Sequence, residues 1–385
     1  MPPVTAPGRL QRRLGVGDAV VIGAGSMIGA GVFTAWAPAA EAAGTGLVIG
    51  LAIASLVAFC NATSSAQLAA IHHESGGTYL YGRRRLGRTW GHVAGWGFVV
   101  GKTASCAAMA LTVGAYLWPE QERAVAIVAV VGITAVNIGG LSRTVAVTRV
   151  LLVVSSGALA AVVVAGWSSG GADLGRLTPI DAGPFDILRS AGFLFFAFAG
   201  YARIATLGEE VRDPGTTIPK AIPRALFAVL AIYAVVGVTA LATVDATSLA
   251  ATDAPLRLVV AAGSLDLDGV VRIGAGIAAL GVLLNLIPGV SRTTLAMARN
   301  HELPSWLAHI DRRRSLPLRA ELSVATVVVV LVAVVELRSA IAISGVAVLT
   351  YYAITNAAAL TLDPHERRWP RTLAVAGLVG CVVLI

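Results

Sequence analysis

Charge is scarce in this sequence of 385 residues: Asp, Glu, Lys and Arg make up 13% of it, about half of what a soluble domain carries. Polar stretches are correspondingly short, so no soluble domain is visible. Cysteine is nearly missing. Cys60, Cys106 and Cys381 each lie in an apolar run, none at metal-ligand spacing, and all three read as buried thiols that say little about redox compartment. Histidine is rare as well. His72 and His73 adjoin but lack a third ligand, so no metal and no cofactor is expected. Acidic residues are almost absent from the apolar runs and the histidines sit at their edges. That excludes the His, Asp, Glu or Ser groupings of a membrane-embedded enzyme. Rings of charge and a repeated filter sequence, the marks of a channel, are missing too.

What is present is apolar: 56% hydrophobic residues, mean hydropathy +0.79, arranged in repeated runs long enough to cross a bilayer. The chain therefore predicts an all-α integral membrane protein. The runs fall at about 14–40, 45–71, 89–118, 123–140, 145–167, 187–207, 221–243, 270–298, 320–336, 340–362 and from about 373 to Ile385. A polar segment from Ser168 to Asp186 separates two sets of five, and a segment with Asp245, Asp253, Asp266 and Asp268 follows span seven. The last run is shorter than the roughly 20 residues a crossing needs, which fits either eleven spans or a twelfth in a longer chain. The first run lacks a cleavage site of small residues and reads as a retained span rather than a signal peptide.

The formal net charge of +8 would suggest a nucleic-acid partner in a soluble protein. Here the cations sit at span ends, so topology explains them and the bilayer, not nucleic acid, is the expected partner. With the N-terminus in the cytoplasm, that side receives Arg9, Arg12, Arg13, Arg83, Arg84, Arg85, Arg88, Arg143, Arg149, Arg212, Lys220, Arg224, Arg299, Arg312, Arg313, Arg314, Arg319, Arg367, Arg368 and Arg371. The outer side receives Arg123, Arg176, Arg257 and Arg338, with Arg189 and Arg272 near span ends. This asymmetry predicts a multi-pass protein of the cytoplasmic membrane and supports the span count, because one missed span would invert everything after it.

Span one is interrupted by its own composition. Gly23, Gly25, Gly29 and Gly31 lie within the stretch from Val20 to Phe33, and glycine costs about 1 kcal/mol relative to alanine inside a helix. An opened backbone at membrane depth is tolerated only where it is buried in protein or lines a cavity. Gly29-Ala30-Gly31 therefore reads as the unwound middle of a broken helix. Two other readings compete. Gly25 and Gly29 form a G-x-x-x-G pair suited to close helix packing. Gly23-Ala24-Gly25 has the look of a dinucleotide-binding turn, but the segment up to Glu41 is apolar span. Span six repeats the anomaly, with Phe193-Leu194-Phe195-Phe196-Ala197-Phe198-Ala199 interrupted at Gly200. Two interrupted spans, each leading a five-span set of opposite orientation, point to inverted repeats around a midplane site. Free amides at such breaks suit a carboxylate, and free carbonyls suit an ammonium.

Several motifs carry a resemblance. Ser26-Met27-Ile28-Gly29-Ala30-Gly31-Val32-Phe33 resembles the first-helix motif of the amino acid–polyamine–organocation transporter superfamily. Phe195 to Tyr201, with Glu209-Glu210-Val211-Arg212-Asp213-Pro214 and Ile218-Pro219, resembles the sixth helix and following loop of its cationic-amino-acid-transporter-like branch. Ser291-Arg292, Ala296 to Arg299 and Leu303-Pro304 are similar to the end of the eighth helix, and Gly95-Trp96 to the third-helix entry. The resemblance runs in order over nearly the whole chain. It implies a LeuT-type fold in a single transporter domain, residues 1–385: two inverted five-helix repeats, 14–167 and 187–362, with broken helices 1 and 6, and a peripheral span over 371–385. It implies secondary transport of an amino acid by alternating access, proton-coupled or by exchange. The alternative within the same fold is an exporter of an amine, polyamine or other organocation.

Carried over residue by residue, the resemblance implies that Met27, Ile28, Gly29, Ala30 and Gly31 present the first-helix backbone to the substrate, and Phe196, Ala199 and Gly200 the sixth. The sequence also departs from its relatives. Many carry an acidic residue two positions after the sixth-helix glycine, where this chain has Ala202 followed by Arg203, which weakens a cationic substrate side chain. The lysine that proton-coupled relatives can carry in the fifth helix is absent from Val154-Ser155-Ser156. The hydroxyls that sodium-coupled LeuT-type proteins use on the eighth helix are absent from Ala278 to Leu284, so sodium is disfavoured and a proton favoured. Lys102 lies mid-span, where a charge is costly. It reads as a proton carrier or internal counter-charge, against the alternative of a side chain that snorkels to the interface. Phe198, Arg203, Glu209, Glu210 and Tyr351 are vestibule or gate candidates, with Tyr351 placed toward the outer vestibule.

Overall fold

The apolar runs form helices, with Pro219 and Pro223 inside one and Pro288 inside another. The computed structural model describes residues 14–72, 76–139, 145–201, 204, 211–311 and 316–385, with residues 145–147 described by backbone alone. Span one is three pieces, α1 (Val16–Met27), α2 (Ala30–Thr34) and α3 (Trp36–Ala43). Then follow α4 (Leu47–Ile71), α5 (Gly77–Arg85), α6 (Arg88–Leu117), α7 (Glu122–Ile138) and α8 (Val145–Ser168). The second set is α9 (Pro184–Phe198), α10 (Pro214–Thr243), the short α11 (Ala246–Ala250) and α12 (Pro255–Ala261), α13 (Asp268–Arg299), α14 (Leu318–Val334) and α15 (Leu337–Leu360), with α16 (Arg371–Leu384) last. Among the described residues, eight helical stretches are long and apolar enough to cross a membrane, while α16 is a shorter apolar helix of 14 residues.

Helix starts follow local chemistry. Asp18 accepts the Gly15 amide at 3.2 Å at the head of α1, and Pro214 occupies the first turn of α10, where its missing N–H costs nothing. That early start corrects the expected beginning of span seven from residue 221 to Pro214, since the Asp213 carbonyl accepts the Thr216 and Thr217 amides at 3.2 and 2.8 Å. The stretch read as a basic loop is in part the helix α5: Tyr79 and Tyr81 are buried while Arg83 to Arg85 occupy its last turn. We call the end of the molecule that carries these arginines the basic side, and the other the far side.

Helix α6 is the central post. It packs along α13 and α15 and also meets α2, α5, α7 and α14. Its buried stretch, Gly101 to Tyr116, is rich in Ala, Ser, Thr and Gly. Lipid tails are as apolar as leucine, so helices in a bilayer associate through close packing and hydrogen bonds, and small residues permit that approach. Ser105 and Ser344 share a 2.6 Å hydrogen bond between α6 and α15, and Asn356 of α15 donates to Asn61 of α4 at 2.6 Å. By contrast, α7 turns Val128 and Val131 outward, both more than half exposed, as a lipid-facing helix does. The α9 helix lies against α3 and α4, and α10 against α1 and α4.

Candidate functional site: the crossing of two interrupted spans

The helix of span one stops at Met27. Ile28 takes φ −76° and ψ 73°, and Gly29 is extended at φ −128° and ψ −153°. The helix resumes at Ala30, so the unwound pair is Ile28–Gly29. This corrects the expected break at Gly29-Ala30-Gly31, whose last two residues are helical. The opened backbone is not left bare. The Met27 carbonyl accepts the Gly29 amide at 2.8 Å and the Tyr233 hydroxyl of α10 at 2.6 Å.

Span six stops at Phe198 and tightens into a turn over Ala199–Tyr201. Its last carbonyls also find donors. The Tyr233 hydroxyl lies 3.1 Å from the Ala197 carbonyl, so one proton is shared between carbonyls from both breaks. The Ala199 carbonyl accepts from the Lys102 ammonium at 3.2 Å and from the Tyr352 hydroxyl at 3.3 Å. An ammonium at the C-terminal end of α9 meets the negative end of that helix's dipole. The ring of Tyr201 stacks on Tyr352 with centroids 5.0 Å apart.

The two spans cross backbone on backbone. A Cβ at Gly200 would lie 2.1 Å from the Ser26 carbonyl oxygen, and one at Gly31 would lie 2.7 Å from Cα of Ala197. Neither approach is open to a residue with a side chain. Gly29 is pressed against Val282 of α13, 2.3 Å from where its Cβ would be, and Gly25 faces Thr148 of α8 at 3.0 Å. The G-x-x-x-G reading therefore describes these two positions as packing, alongside the break. A valine at Gly31 would collide with the Ala197 backbone, so Gly31→Val reports on the crossing and not cleanly on binding.

The residues expected to bind substrate are thus brought together. Met27, Ile28, Ala30, Gly31, Phe196 and Ala199 are all buried, and Gly29 and Gly200 sit at the contacts just described. Ala30 and Phe196 pack in one cluster with Cys106 and Val282, on the side of α6 and α13. Lys102 is 7% exposed and points into the protein, not to the interface. Phe198 is fully buried with its ring 5.0 Å from that of Tyr233, a packing contact within the core. Tyr351 is a correction. Residue 351 lies past the midpoint of α15 toward the basic side; its hydroxyl accepts the Thr78 amide of α5 at 3.1 Å and its ring lies 5.4 Å from Phe98. It therefore does not line an outer vestibule. Arg203, Glu209 and Glu210 lie outside the described residues.

Tyr233 was missed, and so was the role of Tyr352. The signal was available: a tyrosine in the middle of an apolar span has a hydroxyl that must find a partner. Tyr116 obeys the same rule, donating to the Phe33 carbonyl at 2.6 Å.

Charge clusters bracket the crossing at either end. On the basic side Glu302, only 3% exposed at its side chain, pairs with Arg83, accepts from the Tyr79 hydroxyl at 3.0 Å and lies 3.5 Å from His92. Nearby, Arg85 grips Glu366 with two hydrogen bonds of 3.1 and 2.8 Å, and that grip holds the Glu366 carboxyl down at about 2. On the far side Arg338, at the start of α15, pairs with Glu41 of α3, lies 3.6 Å from Asp253 and donates to the Ala250 carbonyl.

The sequence profile of the amino acid permease family matches residues 14–385. The chain belongs to the amino acid permease family. This permease is an integral membrane transporter of the amino acid–polyamine–organocation type. It is 58% identical to an uncharacterized transporter of Mycobacterium tuberculosis over 384 residues, 99% of this chain and 87% of that one. A branched-chain amino acid permease of Bacillus subtilis is 24% identical, over 96% of this chain and 84% of its own. A chloroplastic cationic amino acid transporter of Arabidopsis thaliana is 25% identical, over 91% of this chain and 65% of its own. Among these the permease resembles transporters, not enzymes.

Proposed function

We propose that this permease is a secondary active transporter that moves an amino acid across the cytoplasmic membrane by alternating access, with its N-terminus in the cytoplasm. In this reading residues 14–167 and 187–362 are inverted repeats of a LeuT-type fold, and 371–385 belongs to a peripheral span. The observation that carries it is the crossing itself. Carbonyls of Met27, Ala197 and Ala199, from two interrupted spans, gather at one level and are already addressed by hydroxyl and ammonium donors. That set suits a substrate ammonium, and the amides that open α2 suit its carboxylate. Coupling is to a proton or to exchange. Sodium is not used: where α13 meets the first break it offers Val282, and Ala278 to Leu284 carry no hydroxyl to complete an oxygen cage. The runner-up, an amine or polyamine exporter, needs the carbonyls but not the amides.

Purified protein in proteoliposomes separates these readings. Free amino acids, their methyl esters and the matching amines are compared as counter-substrates, with choline in place of sodium throughout. Exchange of a neutral amino acid such as L-leucine is expected, with the ester and the amine at least tenfold weaker. Equal exchange of the amine would shift the assignment to the runner-up, and exchange that appears only with sodium would overturn the coupling.

A further inference from the structure

The Ala199 carbonyl, like that of Met27, has two donors, and one of its two is an ammonium. A carbonyl oxygen has two lone pairs, and here both have takers, the Lys102 ammonium and the Tyr352 hydroxyl. A third donor therefore enters only if one of these leaves. Tyr352 is held by the stacked ring of Tyr201 and the edge contact of Phe195, whose centroid lies 5.8 Å away. Lys102 hangs on a flexible four-carbon stem and is the group free to go.

What stops it from leaving as a cation is its surroundings. On its own helix the titratable group facing it is the Cys106 thiol. Helix α15 brings the Tyr352 hydroxyl, on whose ring Tyr201 stacks, while the Tyr351 hydroxyl is taken up by the Thr78 amide. The five residues of α2 and the stretch Ala278 to Leu284 of α13 bring none. The charged residues of α5, α7 and α14 lie in their terminal turns, among them Arg83, Glu122 and Glu321. Helix α9 carries Asp186 and Arg189 in its first two turns, and α5 adds Tyr79, bonded to Glu302, and Tyr81, stacked on His72. No carboxylate among the described residues is placed to follow the ammonium away from Ala199. A substrate ammonium arriving at that carbonyl would meet Lys102 at about 4 Å, and two like charges at that separation in a protein interior repel by an amount worth roughly a thousandfold in affinity.

We propose that the Lys102 ammonium and the substrate ammonium are mutually exclusive ligands of the Ala199 carbonyl, so that this permease exchanges a proton for its substrate and works as an exporter. The step balances simply. Lys102 gives one proton to water on the side to which the site is open and becomes a neutral amine, while the substrate binds with its own ammonium intact. On the other side the substrate leaves and Lys102 takes a proton back. Mutual exclusion of proton and substrate is the condition for counter-transport, whereas a proton that helped substrate bind would give co-transport. An inward proton gradient then drives substrate outward. The inference rests on the amino acid transport reading of the same site.

Two measurements on the full chain test it, with L-leucine as probe and isoamylamine as an ammonium that lacks the carboxylate. Calorimetric titration in two buffers of different ionisation enthalpy counts protons. Release of about one proton per ligand is expected, with Kd tightening about tenfold per pH unit until it levels off. Lys102→Met, checked for folding by its melting profile, should bind with no proton release and no such slope. Lys102→Arg keeps the charge and should bind at least a hundredfold more weakly than wild type at the pH where wild-type affinity has levelled off, the gap closing as pH falls. In proteoliposomes loaded with L-leucine, acidifying the outside should accelerate efflux. Proton uptake on binding, affinity that weakens as pH rises, or unchanged proton release in Lys102→Met would overturn the exclusion while leaving amino acid transport standing. No binding of either probe at any pH would remove the transport reading and this inference with it.

Discussion

The two interrupted spans reach the same outcome, an opened backbone at the crossing, by different means. Span one opens between residues. Ile28 and Gly29 leave helical geometry, and the glycines around them exist because neighbouring atoms occupy the space a side chain would need. Span six opens at a helix end. Its turn begins where α9 runs out, and its identity lies in which donors its carbonyls hold. One break is specified by shape, the other by hydrogen bonds. Shape is intolerant: a Cβ placed on a backbone atom cannot be moved aside. Hydrogen bonds are replaceable, because another donor can take the same carbonyl. The second break is therefore the one whose carbonyls are able to exchange partners.

Substitutions can break or sharpen this contrast. The largest effect belongs to Gly200→Ala, which places a methyl on the Ser26 carbonyl. It belongs to span six by sequence but to the shape class by contact. It should cost more than about 3 kcal/mol and show as loss of monodisperse protein. Gly132→Ala on α7, where nothing lies within 4 Å, should be neutral or mildly stabilising in the same assay. A well-folded Gly200→Ala protein would mean that the spans do not touch as described.

Tyr233→Phe comes next. It removes the one hydroxyl that serves both breaks and leaves two buried carbonyls each short of a donor, for a loss of about 1–3 kcal/mol by thermal unfolding in detergent. Tyr352→Phe leaves Lys102 on the same carbonyl and should cost less, about 1 kcal/mol. The reverse order would show that α15, not α10, ties the breaks together.

The smallest effect is a control far from both breaks. The Glu366 carboxyl, held at about 2 by Arg85, titrates near 4.3 when unfolded. Its folded value is the lower one, so the pair stabilises fully above the unfolded value and loses that contribution as pH falls from about 4.3 to about 2. Both side chains are about one-fifth exposed, so the effect is small and screened by salt. A slightly shallower acid loss of melting temperature in Glu366→Gln, with substrate exchange unchanged at neutral pH, is the expected result.

Much of this was legible from composition and spacing. Apolar runs of 17 to 30 residues can only be helices in a bilayer, because no other segment satisfies its own backbone there. The helices α4, α6, α8, α13 and α15 begin and end within a few residues of the expected runs. The interruption of span one could be read because four glycines are a local cost that needs a reason. Its register could not. Gly29 and Gly31 look alike in sequence, but one is extended and the other is helical and pressed on Ala197. What separates them is the chain that arrives from another span. The same holds for α5, where the arginines dominated the reading and two buried tyrosines decided the structure.

Order along the chain, the basic asymmetry and the positions where a helix is weak are local properties, and the amino-acid sequence determined them alone. Which carbonyl meets which donor is a property of residues far apart, such as Met27 with Tyr233 and Lys102 with Ala199. Only the tertiary structure decided that, because a hydrogen bond at membrane depth depends on how closely neighbouring helices can approach.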